Sequence, residues 1–154
     1  MERDSARGRM AGLVPAAILL SLCVAMPQRA AAQNGADPLA GTTWRLVSLS
    51  MSDTSVVPDD RQKYTLTFQK DGMVAVRADC NRGKGKYKDP PMGRLRIGVI
   101  HLSKAKCAPG SIADRFARAI GFTQSYEIRN GELLLGVAPG GDTLRFERSA
   151  TKGP

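Results

Sequence analysis

Short runs of alternating apolar and polar residues, divided by turn dipeptides, constrain this chain more than any other feature. Residues 63–69 place Tyr64 and Phe68 on one face of a strand, and Asp71-Gly72 then supplies the backbone freedom that a tight hairpin turn requires. Similar runs occur at 43–49, 73–79, 94–102, 125–129, 132–137 and 142–148. The last two follow turn dipeptides of the same kind, Asn130-Gly131 and Gly140-Gly141. Six or seven short strands are therefore predicted.

Successive side chains of a strand point to opposite faces of the sheet, so the alternation also predicts which residues of a run share a face. The residues that share a face are Trp44, Leu46 and Ser48 in the first run, and Leu95, Ile97 and Val99 in the run 94–102. The polar segment 50–62 contains a proline and is predicted to interrupt the strands.

One segment has the helical period instead. From Ser111, a suitable N-cap residue, apolar side chains recur at helical spacing, at Ile112, Phe116, Ala119, Ile120 and Phe122. They predict one amphipathic helix of about 11 to 13 residues, with its apolar stripe across an open end of the sheet. The fold class is then mainly β, a small antiparallel barrel or a strongly curved sheet with one helix.

The N-terminus has the layout of a secretory signal peptide. Arg3, Arg7 and Arg9 precede an apolar run at 11–26, and small residues follow at 30–32. Cleavage is predicted after Ala32. The alternative is an uncleaved anchor, but the run is shorter than the roughly 20 residues that a spanning helix needs.

A lipid anchor is a second alternative, because bacterial lipoproteins are processed at a cysteine that follows a small residue. Here Leu22 precedes Cys23, and Cys23 lies inside the apolar run, so the pattern disfavours lipidation. A periplasmic or secreted protein of the bacterial cell envelope is the resulting expectation.

Processing leaves one domain by length. Residues 1–32 form the predicted signal peptide, 33–38 a flexible leader, 39–148 the domain and 149–154 a flexible tail. The full chain has a net charge of +9, and the signal peptide holds four basic and two acidic residues. Its removal therefore leaves 19 basic against 12 acidic residues, a net charge of +7.

Export also changes the number of cysteines. Cys80 and Cys107 remain, and an even pair in an oxidising compartment favours a disulfide. A reactive thiol or a metal ligand is the alternative. With His101 as the one histidine, a four-ligand zinc site would need additional carboxylates, so no metal is expected.

The stretch RADCNRGKGKYKDPP, residues 77–91, combines Cys80 with glycines and basic residues. A phosphate-binding loop would require longer spacing and a Ser or Thr after its lysine, whereas Tyr87 follows Lys86 here. The stretch is therefore interpreted as a lysine-rich solvated turn. Its candidate binding or loop-structuring residues are Asn81, Arg82, Lys84, Gly85, Lys86, Tyr87 and Lys88.

The basic side chains of this stretch are expected to face solvent, and Lys104 and Lys106 would lie near them if the two cysteines pair. Such a cluster attracts a polyanion or an anionic membrane surface. Nucleic acid is not an expected partner outside the cytosol.

Sequence motifs of hydrolases do not occur in the chain: it has no G-x-S-x-G, no H-E-x-x-H and no spaced carboxylate pair. His101 has no nucleophile motif around it and is expected at the surface. We therefore expect no enzyme and no cofactor.

The arrangement of several short motifs resembles the META domain family, which includes HslJ-like exported proteins. The resemblance covers residues 39–148 and rests on Gly41-Thr42-Thr43-Trp44, Cys80-Asn81, Gly85-x-Tyr87, Cys107, Leu133-Leu134-Leu135 and Leu144-x-Phe146. The chain departs from the family pattern at Gly83, where an aromatic residue is frequent, and at 103–106. These departures are expected to add flexibility or charge.

The resemblance implies a small barrel of lipocalin-like shape, a paired Cys80 and Cys107, and a structural role for Asn81 beside the bridge. It further implies an exported, non-enzymatic envelope protein with a binding or stabilising role, in stress tolerance. The alternatives are an inhibitor-like barrel that blocks an envelope hydrolase and a carrier of a small apolar ligand. A monomer is expected, with an envelope protein or an anionic surface as its partner.

Overall fold

Antiparallel strands make up most of the described chain, residues 37–51, 54–90 and 93–150 of a computed structural model. The strands are β1 (Thr42–Met51), β2 (Thr54–Val56), β3 (Tyr64–Phe68), β4 (Met73–Ala78), β5 (Asn81–Lys88), β6 (Arg96–Ile97), β7 (His101–Leu102), β8 (Thr123–Arg129), β9 (Glu132–Val137) and β10 (Asp142–Arg148). A 3₁₀ turn spans Arg61–Lys63, and one helix, α1, spans Ala113–Gly121.

The strand order is β6-β5-β4-β3-β1-β10-β9-β8, with β2 beside β1 and β7 beside β5. The two ends of this sheet approach each other just before β6. Leu95 N donates to the Gln124 carbonyl at 3.0 Å, and Tyr126 N donates to the Gly93 carbonyl at 2.8 Å. The sheet is thus a nearly closed eight-stranded antiparallel barrel, which confirms the predicted fold class.

The predicted turn dipeptides join neighbouring strands of the barrel. Asn130 and Gly131 both have positive φ, 52° and 79°, between β8 and β9. This is the geometry that a two-residue hairpin turn needs. Gly140 and Gly141, with φ of 125° and 75°, lie between β9 and β10.

A β-bulge changes the face assignment in β1. The register to β10 shifts between Leu46 and Ser48, so the alternation changes phase at this point. Leu49 consequently joins Trp44 and Leu46 in the core, and Ser48 does not. The prediction that Ser48 shares a face with Trp44 and Leu46 is therefore wrong.

The run 94–102 is not one continuous strand. It is divided into β6 and β7, and the three residues predicted to share a face do not do so. Leu95 and Ile97 are buried, whereas Val99 is 78% exposed. The interrupting segment 50–62 contains a strand that the pattern did not predict, β2, which pairs with the end of β1.

The helix is shorter than predicted, with nine residues. The N-cap position is Ile112, which has no side-chain cap bond, so the predicted N-cap at Ser111 is wrong by one residue. Ser111 Oγ still accepts a hydrogen bond from Ala113 N at 3.3 Å. Phe116, Ala119 and Ile120 are buried, and Phe116 packs edge-on against Tyr64 at 5.5 Å between ring centroids. Phe122 was predicted on the apolar stripe, but it follows the helix and is 56% exposed.

Large side chains fill the interior of the barrel. The fully buried ones include Trp44, Tyr64, Phe68, Phe116 and Phe146. Trp44 Nε1 donates to Thr42 Oγ1 at 2.7 Å, which satisfies the buried indole N–H.

Within the described residues, no helix has the length and apolar character that crossing a bilayer requires. The predicted signal peptide at 1–32, with Cys23, lies outside the described residues, as do 33–36 of the leader and 151–154 of the tail.

Candidate functional site

The lysine-rich stretch, predicted as a solvated turn, forms strand β5. Exposed and inward-facing residues alternate along it: Arg82, Lys84, Lys86 and Lys88 are exposed, whereas Asn81, Gly85 and Tyr87 are buried. Residues 81–86 pair with residues 73–78 of β4 in a regular antiparallel register. The stretch is therefore a ladder-bonded strand and not a phosphate cradle, and its basic residues face solvent as expected.

Glycine is required on the inner face of β5 because another segment crosses it closely. A Cβ atom on Gly83 would collide with the His101 carbonyl, and one on Gly85 would lie 2.8 Å from the Val99 carbonyl oxygen. Gly83 pairs with Val76 on one side and Leu102 on the other. The departure from the family pattern at Gly83 thus provides room for the backbone of residues 101 and 102.

The predicted disulfide is present and joins Cys80 to Cys107 with a Cα–Cα distance of 5.5 Å. Both sulfur atoms are bonded, so in this structure neither is available as a thiolate nucleophile or ligand. The bridge connects the turn before β5 to the segment before α1.

The Asn81 side chain bonds to the segment that precedes Cys107. Its Oδ1 accepts from Ala105 N at 2.8 Å and from Ser103 Oγ at 2.9 Å, and its Nδ2 donates to the Ala105 carbonyl at 3.1 Å. With its side chain satisfied, Asn81 fastens residues 103–105 to the start of β5. Lys104 and Lys106 are exposed on this fastened segment, next to the bridge.

Neighbouring strands add further positive charge to β5. Arg96 of β6 lies opposite Lys88, and Arg77 of β4 lies opposite Arg82. Directly opposed like charges destabilise a sheet. We call Arg82, Lys84, Lys86, Lys88 and Arg96 the basic face.

Ion pairs are absent from the basic face within the part of the chain that the structure describes. Its five cations have no carboxylate within salt-bridge distance there, whereas Arg45 and Arg61 share Glu147, and Arg145 pairs with Glu132. Five cations without a described ion pair thus lie close together on β5 and β6. Sequence reasoning found four of them, but it missed Arg96, because a position opposite Lys88 depends on strand pairing.

Tyr87 does not belong to the basic face. Its ring packs edge-on against Phe68 at 4.9 Å, and its hydroxyl donates to Asp37 Oδ2 at 2.5 Å. Asp37, which belongs to the predicted leader, also accepts from Leu39 N at 2.8 Å. A second tyrosine, Tyr126, donates to Asp89 Oδ2 at 3.0 Å nearby.

Burial is the main cause of the raised pKa values of Tyr87, Tyr126 and Asp89. Burial and the hydrogen bond to Asp89 raise the pKa of Tyr126 to about 12, and burial with the Asp37 bond raises the pKa of Tyr87 well above its ordinary value. Burial also raises the pKa of Asp89, and the proximity of Asp37 adds to this effect. Both tyrosines therefore stay protonated as donors at neutral pH, and the four residues join the chain before β1 to β5 and β8.

Groups of three or more histidine, cysteine or acidic residues that could hold a metal ion do not occur among the residues described. The class of protein defined by these features is a small antiparallel barrel with one bridging disulfide and a basic edge.

The sequence model of the META domain family matches residues 37–151, and the chain therefore belongs to this family. No curated protein matches the chain.

Solved structures show the same fold. A protein from Burkholderia xenovorans, solved by NMR, is 28% identical, with 73% of this chain and 84% of that chain covered and a TM-score of 0.61. A DUF4847 family protein from Bacteroides vulgatus ATCC 8482 is 14% identical, with 75% and 97% covered and a TM-score of 0.53. This second likeness shows the fold alone.

Proposed function

We propose that this META-domain protein is an exported, non-enzymatic binding protein of the cell envelope that holds an anionic partner on its basic face. A role in stress tolerance, as the family resemblance implies, belongs to the same proposal. The observation that carries the proposal is the concentration on β5 and β6 of five cations that have no ion pair with any described residue.

The like charges on the basic face destabilise the fold, and this destabilisation supports a role in binding. Opposed like charges at Lys88 and Arg96 weaken the pairing of β5 with β6, whereas Arg45 of β1 and Arg145 of β10 each pair with a glutamate. An anionic partner would offset the repulsion, and exposed cations on one edge would also attract that partner from solution.

Two alternatives receive less support. A carrier of a small apolar ligand needs space inside the barrel, but Trp44, Tyr64, Phe68, Phe116 and Phe146 occupy the interior. An inhibitor of an envelope hydrolase would act through its loops, and no described loop has a feature that favours such a role.

Retention on a heparin column tests the proposal. Replacing Arg82, Lys84, Lys86 and Lys88 with glutamine should abolish most of the retention, because exposed charges act over about 8 Å at physiological salt and these four are adjacent. The wild-type protein should elute progressively earlier as the salt concentration of the load rises.

A variant with the same change in net charge serves as the control. Arg61, Arg115, Arg129 and Arg145 are exposed and lie outside β5 and β6, so their replacement with glutamine should leave most of the retention intact. Equal loss in the two variants would show that net charge alone governs retention, and it would refute a site on the basic face.

A further inference from the structure

Two exposed apolar side chains border the basic face. Val99 lies between β6 and β7 with 78% of its surface exposed, and Phe122 follows α1 with 56% exposed. Both line one surface groove, together with Gly98 and Gly121. They form an apolar patch, Val99 and Phe122, on a barrel that buries most of its aromatic rings.

The backbone holds both residues of the apolar patch in place. The Val99 carbonyl lies so close to Gly85 that a Cβ on this glycine would approach it to 2.8 Å. Phe122 N donates to the Ala119 carbonyl at 3.2 Å, and the Phe122 carbonyl accepts from Ala138 N at 3.2 Å. The two side chains are thus presented by a fixed scaffold, which reduces the entropy lost on binding.

Cations surround the apolar patch. Lys86, Lys88 and Arg96 line the groove on one side of Phe122, and Lys84 lines the surface beside Val99. No Asp or Glu belongs to the described lining of these grooves. A partner that covers the patch therefore meets apolar and positively charged groups together.

We propose that the anionic partner is the surface of a bilayer that contains acidic phospholipids, with Val99 and Phe122 entering the acyl boundary. This inference rests on the proposed function. A soluble polyanion would neutralise the cations but leave both apolar side chains in water. The interface of an anionic bilayer offers negative headgroups at the surface and an apolar boundary about 5–10 Å below it.

Tryptophan fluorescence tests the insertion at a defined position, in the protein as purified from its host. Phe122→Trp should be quenched by brominated acyl chains in vesicles of phosphatidylglycerol and phosphatidylcholine. The native Trp44 is 1% exposed and should not respond. Val57→Trp is the matched control, because Val57 is also exposed, at 63%, but adjoins β2 on another part of the sheet. It should show no quenching.

A second pair of variants separates insertion from charge. Val99→Ser with Phe122→Ser should lower the partition into anionic vesicles by at least about fivefold, since both side chains lose apolar area. The double variant should keep its retention on heparin and its circular-dichroism spectrum. Val57→Ser should leave vesicle binding unchanged.

Three outcomes would overturn the inference: bound Phe122→Trp without quenching, equal quenching of Val57→Trp, or wild-type partition of the double serine variant. If the protein is retained on heparin through its basic face but ignores anionic vesicles, the inference fails and the proposed function stands. If neither heparin nor vesicles retain it, both fail.

Discussion

At the scale of single residues, glycine and asparagine decide how β5 meets its neighbours. Asn81 supplies three hydrogen bonds to residues 103 and 105, and Gly83 leaves room for the backbone at 101–102. Both contacts join β5 to a segment about 20 residues later in the sequence. Asn81 and Gly83 therefore position the segment that carries Val99.

Gly83→Ala is expected to lower the free energy of unfolding by about 1–3 kcal/mol, because the added methyl group must displace paired backbone. Gly121→Ala is the control, since a Cβ there meets nothing within 4 Å. This second change should be neutral or slightly stabilising, because alanine favours the helix over glycine. Urea denaturation measures both, and equal stability of the two variants would refute the close crossing over β5.

At the scale of elements, the disulfide connects the turn before β5 to the chain that enters α1. Its two cysteines are 27 residues apart, and between them lie the whole of β5, β6 and β7. Because β6 and β7 have only two residues each, few ladder hydrogen bonds hold this part of the barrel. The bridge and Asn81 therefore reinforce the region that carries the basic face.

Cys80→Ser is expected to lower the melting temperature by many degrees. Closing a loop of this length restricts the unfolded chain by about 3.6 kcal/mol in the entropy model, a large share of a typical domain stability of about 5–10 kcal/mol. Mass spectrometry of non-reduced peptides should show Cys80 linked to Cys107. Two free thiols in protein taken from an oxidising compartment would contradict the bridge.

At the scale of the whole molecule, the compartment determines whether the disulfide persists, because cytosolic thiols are kept reduced. The disulfide is compatible with export, and the signal peptide predicted at 1–32 would provide it. Anionic envelope components would then be the partners available to the basic face.

The N-terminus of the protein recovered from its host is expected at Gln33 or within two residues of it. Cleavage after Ala32 follows from the small residues at 30–32, which suit a signal peptidase. Mass spectrometry of the intact protein in the envelope and cytosolic fractions makes the measurement. An intact Met1 in the cytosolic fraction would refute export.

Local patterns in the sequence determined most of the strands, the turns between β8 and β10, and the cysteine pair. Alternation at 63–68 and 132–137, and dipeptides such as Asn130-Gly131, act within a few residues and need no knowledge of the rest of the chain. The alternation of glycine with lysine in β5 was also visible, but without a known neighbour it indicated a turn as readily as a strand. Its exposed basic residues were therefore predicted correctly, and its conformation was not.

Only the tertiary structure decided the features that depend on partners distant in the sequence. The bulge in β1 appears in its register with β10, and it moved Leu49 into the core in place of Ser48. Arg96 joined the basic face because β6 pairs with β5. Val99 is exposed in the segment between β6 and β7, although its alternation predicted that it shares a face with the buried Ile97. Hydrophobic periodicity predicts whether a side chain favours the core or the solvent. Strand pairing and steric contact determine which face of the sheet the side chain occupies.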